Sequence, residues 1–225
     1  MKALGIVVLL TSALLVLAGS AQAKQLSAVK VCGAAGCTSV SDRAVLTSLM
    51  RAIETQSQPL RVSTPSPAPF LRLEYWVKGD GGHGPDFVHY YLPSRRIMEV
   101  MTGPGSWSWI RPDSVSALLR RVTNGVKPFP TPRIVSASLG SRTVQDPASY
   151  ARLFAIKQKA DAFGGASDWK RIVLRTRTPS PWSTAAATLE YSPSANVLWR
   201  GSEFVEVPSN IASRLEARAS LRRTR

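Results

Sequence analysis

The feature that most constrains the fold is a word written twice. Tyr91-Leu92-Pro93-Ser94 returns as Tyr191-Ser192-Pro193-Ser194 one hundred residues later, and the surrounding text runs in parallel. Ile97-Met98 answers to Val197-Leu198, and His89-Tyr90-Tyr91 answers to Leu189-Glu190-Tyr191. Upstream, Val40-Ser41-Asp42-Arg43-Ala44 corresponds to Val144-Gln145-Asp146-Pro147-Ala148. Downstream, Pro112-Asp113-Ser114-Val115 corresponds to Pro208-Ser209-Asn210-Ile211. Three anchors in one order predict two degenerate copies of a unit of about one hundred residues.

Periodicity supplies the elements of that unit. Ser27 to Val31 and Thr38 to Val40 read as a hairpin turned at Cys32-Gly33-Ala34-Ala35-Gly36-Cys37. Asp42 suits a helix N-cap, and Val45, Leu46, Leu49, Met50 and Ile53 recur behind it at helical spacing. Gln56 to Pro69, with Pro59, Pro65, Pro67 and Pro69, reads as a connector without regular structure. Phe70 to Lys78 alternates, with Leu71, Leu73, Tyr75 and Val77 on one face and Arg72, Glu74 and Lys78 on the other. Strands at Phe87 to Leu92, Ile97 to Met101 and Trp107 to Arg111 complete a meander. A helix then runs from Pro112 or Asp113 to Gly125.

The second copy repeats the programme. A strand spans Ile134 to Leu139, and a helix spans Asp146 to Phe154 with Pro147 at its favoured first position. Strands follow at Trp169 to Arg177, Thr188 to Tyr191, Val197 to Trp199 and around Phe204 to Val207, before a last helix led by Ile211 and Leu215. The expected fold class is α+β: two tandem hairpin, helix, antiparallel meander, helix units, the helices covering one face of the sheet or sheets.

The chain divides into a signal peptide over 1–23, a first unit over 24–126, a Pro-rich joint over 127–133 and a second unit over 134–225 ending in a basic tail. Lys2 supplies a positive start, Ala3 to Ala18 an apolar core, and Ala21-Gln22-Ala23 a small-x-small cleavage site. Uncleaved, Ala3 to Ala23 is just long enough to span a bilayer; once cleaved, no stable membrane span is expected. The expected location is therefore extracytoplasmic, secreted or at the cell envelope. In an oxidising compartment Cys32 and Cys37 read as a structural disulfide, worth ~2 kcal/mol by loop closure. Their spacing is not that of a Cys-x-x-Cys redox pair, and no further ligands stand close enough to suggest a metal. No metal and no cofactor are expected.

Twenty-nine Lys and Arg against fourteen Asp and Glu leave a formal net charge of +15. That excess favours anionic surfaces, and it also serves solubility. The tail residues Arg222, Arg223 and Arg225 are candidates for such contact. A nucleic-acid partner is not expected, since no standard reading module is present and the chain is read as exported.

Alternate connections of a meander lie at the same end of a sheet. Loops 79–86 and 102–106 are therefore expected to form a rim opposite the Pro93-Ser94 turn, with 178–184 at the corresponding end of the second unit. Asp80, His83, Asp86, Trp107 and Trp182 are the candidates there. A hydrolase would use His83 or His89 with Asp80 or Asp86 as orienter, yet no Gly-x-Ser-x-Gly elbow or His-Glu-x-x-His helix accompanies them. His89 is expected on a strand surface. The leading expectation is a secreted, non-catalytic binding protein acting at or outside the cell envelope, with an unknown protein or anionic envelope polymer as partner. Trp107, Trp182, Arg222, Arg223 and Arg225 would serve binding. The alternatives are a secreted hydrolase using His83, Asp80 and Asp86, and electrostatic adhesion to anionic envelope polymers. In architecture alone the plan resembles secreted enzyme-inhibitor proteins built from tandem repeats; no motif corresponds residue by residue, and no site is carried over.

Overall fold

A computed structural model describes residues 26–54, 61–78, 85–103, 106–160 and 165–220. The signal segment, Asp80 and His83, and the tail residues Arg222, Arg223 and Arg225 lie outside the described residues.

The chain is a mixed α+β protein with two antiparallel sheets. The first contains β1 (Leu26–Gly33), β2 (Gly36–Val40), β3 (Arg61–Val62), β4 (Leu71–Val77), β5 (Phe87–Leu92), β6 (Ile97–Gly103) and β7 (Ser106–Ile110), in the order β2-β1-β4-β5-β6-β7-β3. Helix α1 (Arg43–Glu54) follows β2, and α2 (Ser116–Thr123) follows β7 through a 3-10 turn at Asp113–Val115. The second sheet contains β8 (Ile134–Leu139), β9 (Arg142–Thr143), β10 (Lys170–Thr176), β11 (Ala186–Ser192), β12 (Val197–Trp199) and β13 (Phe204–Glu206), in the order β9-β8-β10-β11-β12-β13. Helix α3 (Ser209–Ser220) closes the chain. Setting β3 aside, both sheets run edge strand of a hairpin, its first strand, then the meander in sequence.

The twice-written word is a turn in both places. Pro93 pre-sets its backbone for the first corner position, and Arg95 N–H closes the turn on Leu92 C=O at 3.1 Å. The chain then returns through a left-handed residue, Arg96 at φ 53° in the first sheet and Asn196 at φ 51° in the second. Arg96 N–H donates to Pro93 C=O at 3.3 Å, and Asn196 N–H to Pro193 C=O at 3.4 Å. Register beyond the turn matches too: Tyr91 faces Met98, and Tyr191 faces Leu198.

Local chemistry fixes the first hairpin and helix. Cys32 and Cys37 are directly opposed across β1 and β2 and are bonded, with Cα atoms 3.9 Å apart. Gly33 is required beside them, because a Cβ there would stand 2.1 Å from the Lys127 carbonyl oxygen. That oxygen accepts from Ala34 N–H at 2.9 Å, so the Pro-rich joint is stapled to the hairpin. Asp42 caps α1 by accepting from Ala44 and Val45 N–H at 2.9 and 3.0 Å.

Two clusters form the core. Val45, Leu46 and Leu49 of α1, with Val115 and Leu119, join Val31, Leu73, Tyr75 and Tyr91 of the first sheet. The opposite face of that sheet supplies Leu92, Ile97 and Trp109 to a second cluster, where they meet Tyr150, Leu153, Trp182 and the inward residues of the second sheet. Part of the first sheet is therefore buried on both sides.

Three expectations need correction. The connector is not wholly irregular: Arg61 and Val62 pair with Ile110 and Trp109, adding an edge strand. The segment expected as a helix from Asp146 is a 3-10 run, Pro147–Ala155. Ser149 bonds the Asp146 carbonyl with both its N–H and its hydroxyl, which favours the tighter i to i−3 winding, and the Asp146 side chain makes no cap. Lastly, the helices are not the sole cover: in the second cluster Ala212 and Leu215 of α3 share it with Tyr150 and Leu153 of the 3-10 run, Trp182 and residues of the first sheet.

Candidate functional site

Of the expected rim, the described residues place Asp86, Trp107 and Trp182. Asp86 closes the β4–β5 hairpin: its carboxylate accepts from Val77 N–H at 2.6 Å, and its own N–H donates to Tyr75 C=O at 2.9 Å. This is a structural tie for a residue expected to orient a histidine. Trp107 is half-buried near the far end of β6 and β7, opposite the exposed Met101 in the register. Trp182 is not on the surface at all. It is 1% exposed and packs against Phe154 with ring centroids 6.1 Å apart, because loop 178–185 folds down onto the first sheet.

His89, expected at a strand surface, is 3% exposed. It is opposite Leu73, which places it on the core face beside Tyr75 and Phe87, with centroids at 4.8 and 5.5 Å. Burial lowers its pKa to about 4, and its Nδ1 has no hydrogen-bond partner. A neutral imidazole sealed in apolar surroundings is a poor general base for an outside substrate.

The polar opening lies at the other end of the first sheet, by the Pro93 turn. A cleft of about 610 Å³ separates segment 62–66, Arg95 and Arg111 of the first half from Lys159, Arg200 and Glu203 of the second. Segment 62–66 bridges the halves directly. Thr64 N–H donates to Arg200 C=O at 2.8 Å, and the Ser63 and Ser202 hydroxyls are 3.1 Å apart.

Arg200 is the strut of this junction. Its Nη1 donates to the carbonyls of Leu153, Phe154 and Ile156 at 3.4, 3.2 and 3.1 Å, holding the end of the 3-10 run. Its Nη2 pairs with Glu203. For Glu203, burial acts to raise the carboxyl pKa, but the Ser63 hydroxyl and the Arg200 and Lys159 charges outweigh it, and the net shift is downward. Glu203 therefore stays ionised and offsets one of four cations lining the cleft.

A smaller opening of about 320 Å³ lies where loop 178–185 crosses Arg72 and Tyr90. Next to it, Glu99 is 6% exposed and accepts from Ser183 N–H at 2.6 Å. Burial pushes its pKa up to about 7, although the Ser183 bonds act in the opposite sense. Arg72, two strands away in the register, is engaged by Glu74 at 2.6 Å.

No protein-family profile, curated protein or solved structure matches the chain. The chemistry of its own surfaces must carry the reading. The cleft offers cations and hydroxyls, which suits holding an anion. Among the described residues no group of three or more His, Cys, Asp or Glu could hold a metal ion, and no helix is long and apolar enough to cross a membrane. The Cys32–Cys37 bond is compatible with an extracytoplasmic location.

Sequence reasoning missed the cleft because its parts are scattered. Segment 62–66 reads as a linker, and Arg95 and Arg111 read as basic groups interleaved with the strand aromatics on a sheet face that could grip a protein partner or anionic polymer, not as parts of one cleft. The Arg95-Arg96 pair directly after a twice-written turn was the available signal, at the end opposite the expected rim.

Proposed function

We propose that the chain is an exported, non-catalytic binding protein built from two copies of one α+β unit, with its partner held at the junction between them. The junction cleft is the observation that carries this reading: a concave, polar opening with walls from both halves. The common strand order and the left-handed residue after each Pro-Ser turn support the duplication. The disulfide and the apolar leader support export.

The test is retention of envelope fractions (protein, lipid and wall polymer resolved separately) on immobilised mature chain. Ser66→Trp and Ser202→Trp each fill the cleft from one wall. Material held by the wild type and released by both folded variants supports the reading. Equal retention by the filled variants, or none by the wild type, defeats it.

A further inference from the structure

We propose that the junction cleft binds a phosphate-bearing ligand. The assignment rests on the junction reading above and names the chemistry of what the junction holds. Four cations line the cleft, and each comes from a different place in the chain: Arg95 from the β5–β6 turn, Arg111 from beyond β7, Lys159 from the segment bridged to β13, and Arg200 from beyond β12. Glu203 is the one acidic residue in the lining, and it is spent on Arg200. Arg200 is itself immobilised by three carbonyls and is nearly sealed from solvent. The charges left on exposed residues to meet a ligand are therefore Arg95, which also donates to Ser66, Arg111, and Lys159, whose charge also acts on Glu203.

Like charges gathered around one concavity repel, and the repulsion is relieved when an anion enters. Cations approaching from three separated elements suit a tetrahedral oxyanion, whose oxygens accept from several directions, better than a flat carboxylate, which one guanidinium fork satisfies. Hydroxyl donors are interleaved with them. Ser66 already accepts from Arg95 Nη2 at 2.6 Å, which leaves its proton directed elsewhere. Phe154 is the single aromatic of the lining, so the cleft lacks the stacking platform a nucleic-acid strand would need. About 610 Å³ lies within the range of small-molecule sites.

The experiment titrates the mature full chain with glycerol 3-phosphate, with glycerol as control, and separately measures recruitment to phosphatidylglycerol vesicles against phosphatidylcholine vesicles. Saturable binding of glycerol 3-phosphate, but not of glycerol, is expected. Arg111→Gln and Lys159→Gln should each weaken it roughly tenfold, and the double variant about a hundredfold if the two act independently. Vesicle recruitment sensitive to the same two substitutions, without binding of the free monoester, supports the proposal and assigns the phosphate to a lipid headgroup. Binding that persists undiminished in the double variant overturns it, as does wild-type protein that responds to neither probe. Should neither probe bind while the Trp-filled variants still release envelope material, the phosphate assignment fails and the junction reading survives.

Discussion

Replacing Glu99 by Gln should stabilise the protein above neutral pH and leave it unchanged in mild acid. Glu99 is 6% exposed, and beside it on the strand face stand Tyr90 and Trp109 in register. The nearby cation, Arg72, is occupied by Glu74. Its pKa is raised from 4.5 to about 7, so the folded state holds the proton more tightly than the unfolded chain does. Stability from this group is therefore complete below pH 4.5 and lost as pH rises to about 7. At roughly 1.4 kcal/mol per pH unit, the displacement corresponds to about 3 kcal/mol. Glutamine keeps the volume and an oxygen to accept from Ser183 N–H, but it cannot ionise. Urea unfolding at pH 4.5, 6 and 8 should show E99Q equal to wild type at the lowest value and about 3 kcal/mol more stable at the highest. Parallel curves for the two proteins across that range would refute the argument that an uncompensated carboxylate is buried between the halves.

His89 contributes in the opposite sense. Its pKa is lowered from 6.5 to about 4, so its share of stability is full above 6.5 and is lost as pH falls through 4. His89→Leu, which installs the residue standing at 189, should remove that acid sensitivity, and the E99Q profile should rise between pH 4 and 6.5 where the wild type is nearly flat; a ring-proton resonance assigned to His89, by its loss in His89→Leu, that titrates near 6.5 would exclude this burial. Arg96 sits at φ 53°, where a non-glycine residue is strained, and Arg96→Asn, copying position 196, should raise stability by up to about 1 kcal/mol; a lower urea midpoint would contradict the shared turn. Gly33→Ala would place a methyl 2.1 Å from the Lys127 carbonyl oxygen. It should cost ~1–3 kcal/mol in urea unfolding and expose the Ala34 amide to faster hydrogen exchange, whereas neutral behaviour would mean the joint is not docked on the hairpin.

The sequence by itself determined what depends on neighbours along the chain. Tyr-x-Pro-Ser specifies a turn because proline's ring fixes one backbone angle, and both copies make it with the same register beyond. The alternation of residues 71–77 specifies a strand, Asp42 caps a helix through amides two and three residues away, and Cys32 meets Cys37 across a short reversal. At 147–155 the local reading erred over which helix formed, because Ser149 competes for the carbonyl that an α-helix would use.

Only the tertiary structure decided which faces are buried and where charge collects. Alternation shows that Glu99 and His89 point to opposite sides of the first sheet, but not that both sides are covered. The covering groups come from far away, with Ser183 lying 84 positions from Glu99. The same holds for the cleft: Thr64 meets Arg200, and Arg95 lines one opening with Lys159, because the second half docks against the Pro93 end of the first sheet. Such docking is selected by the fit of two complete surfaces, and no single stretch of sequence contains that information.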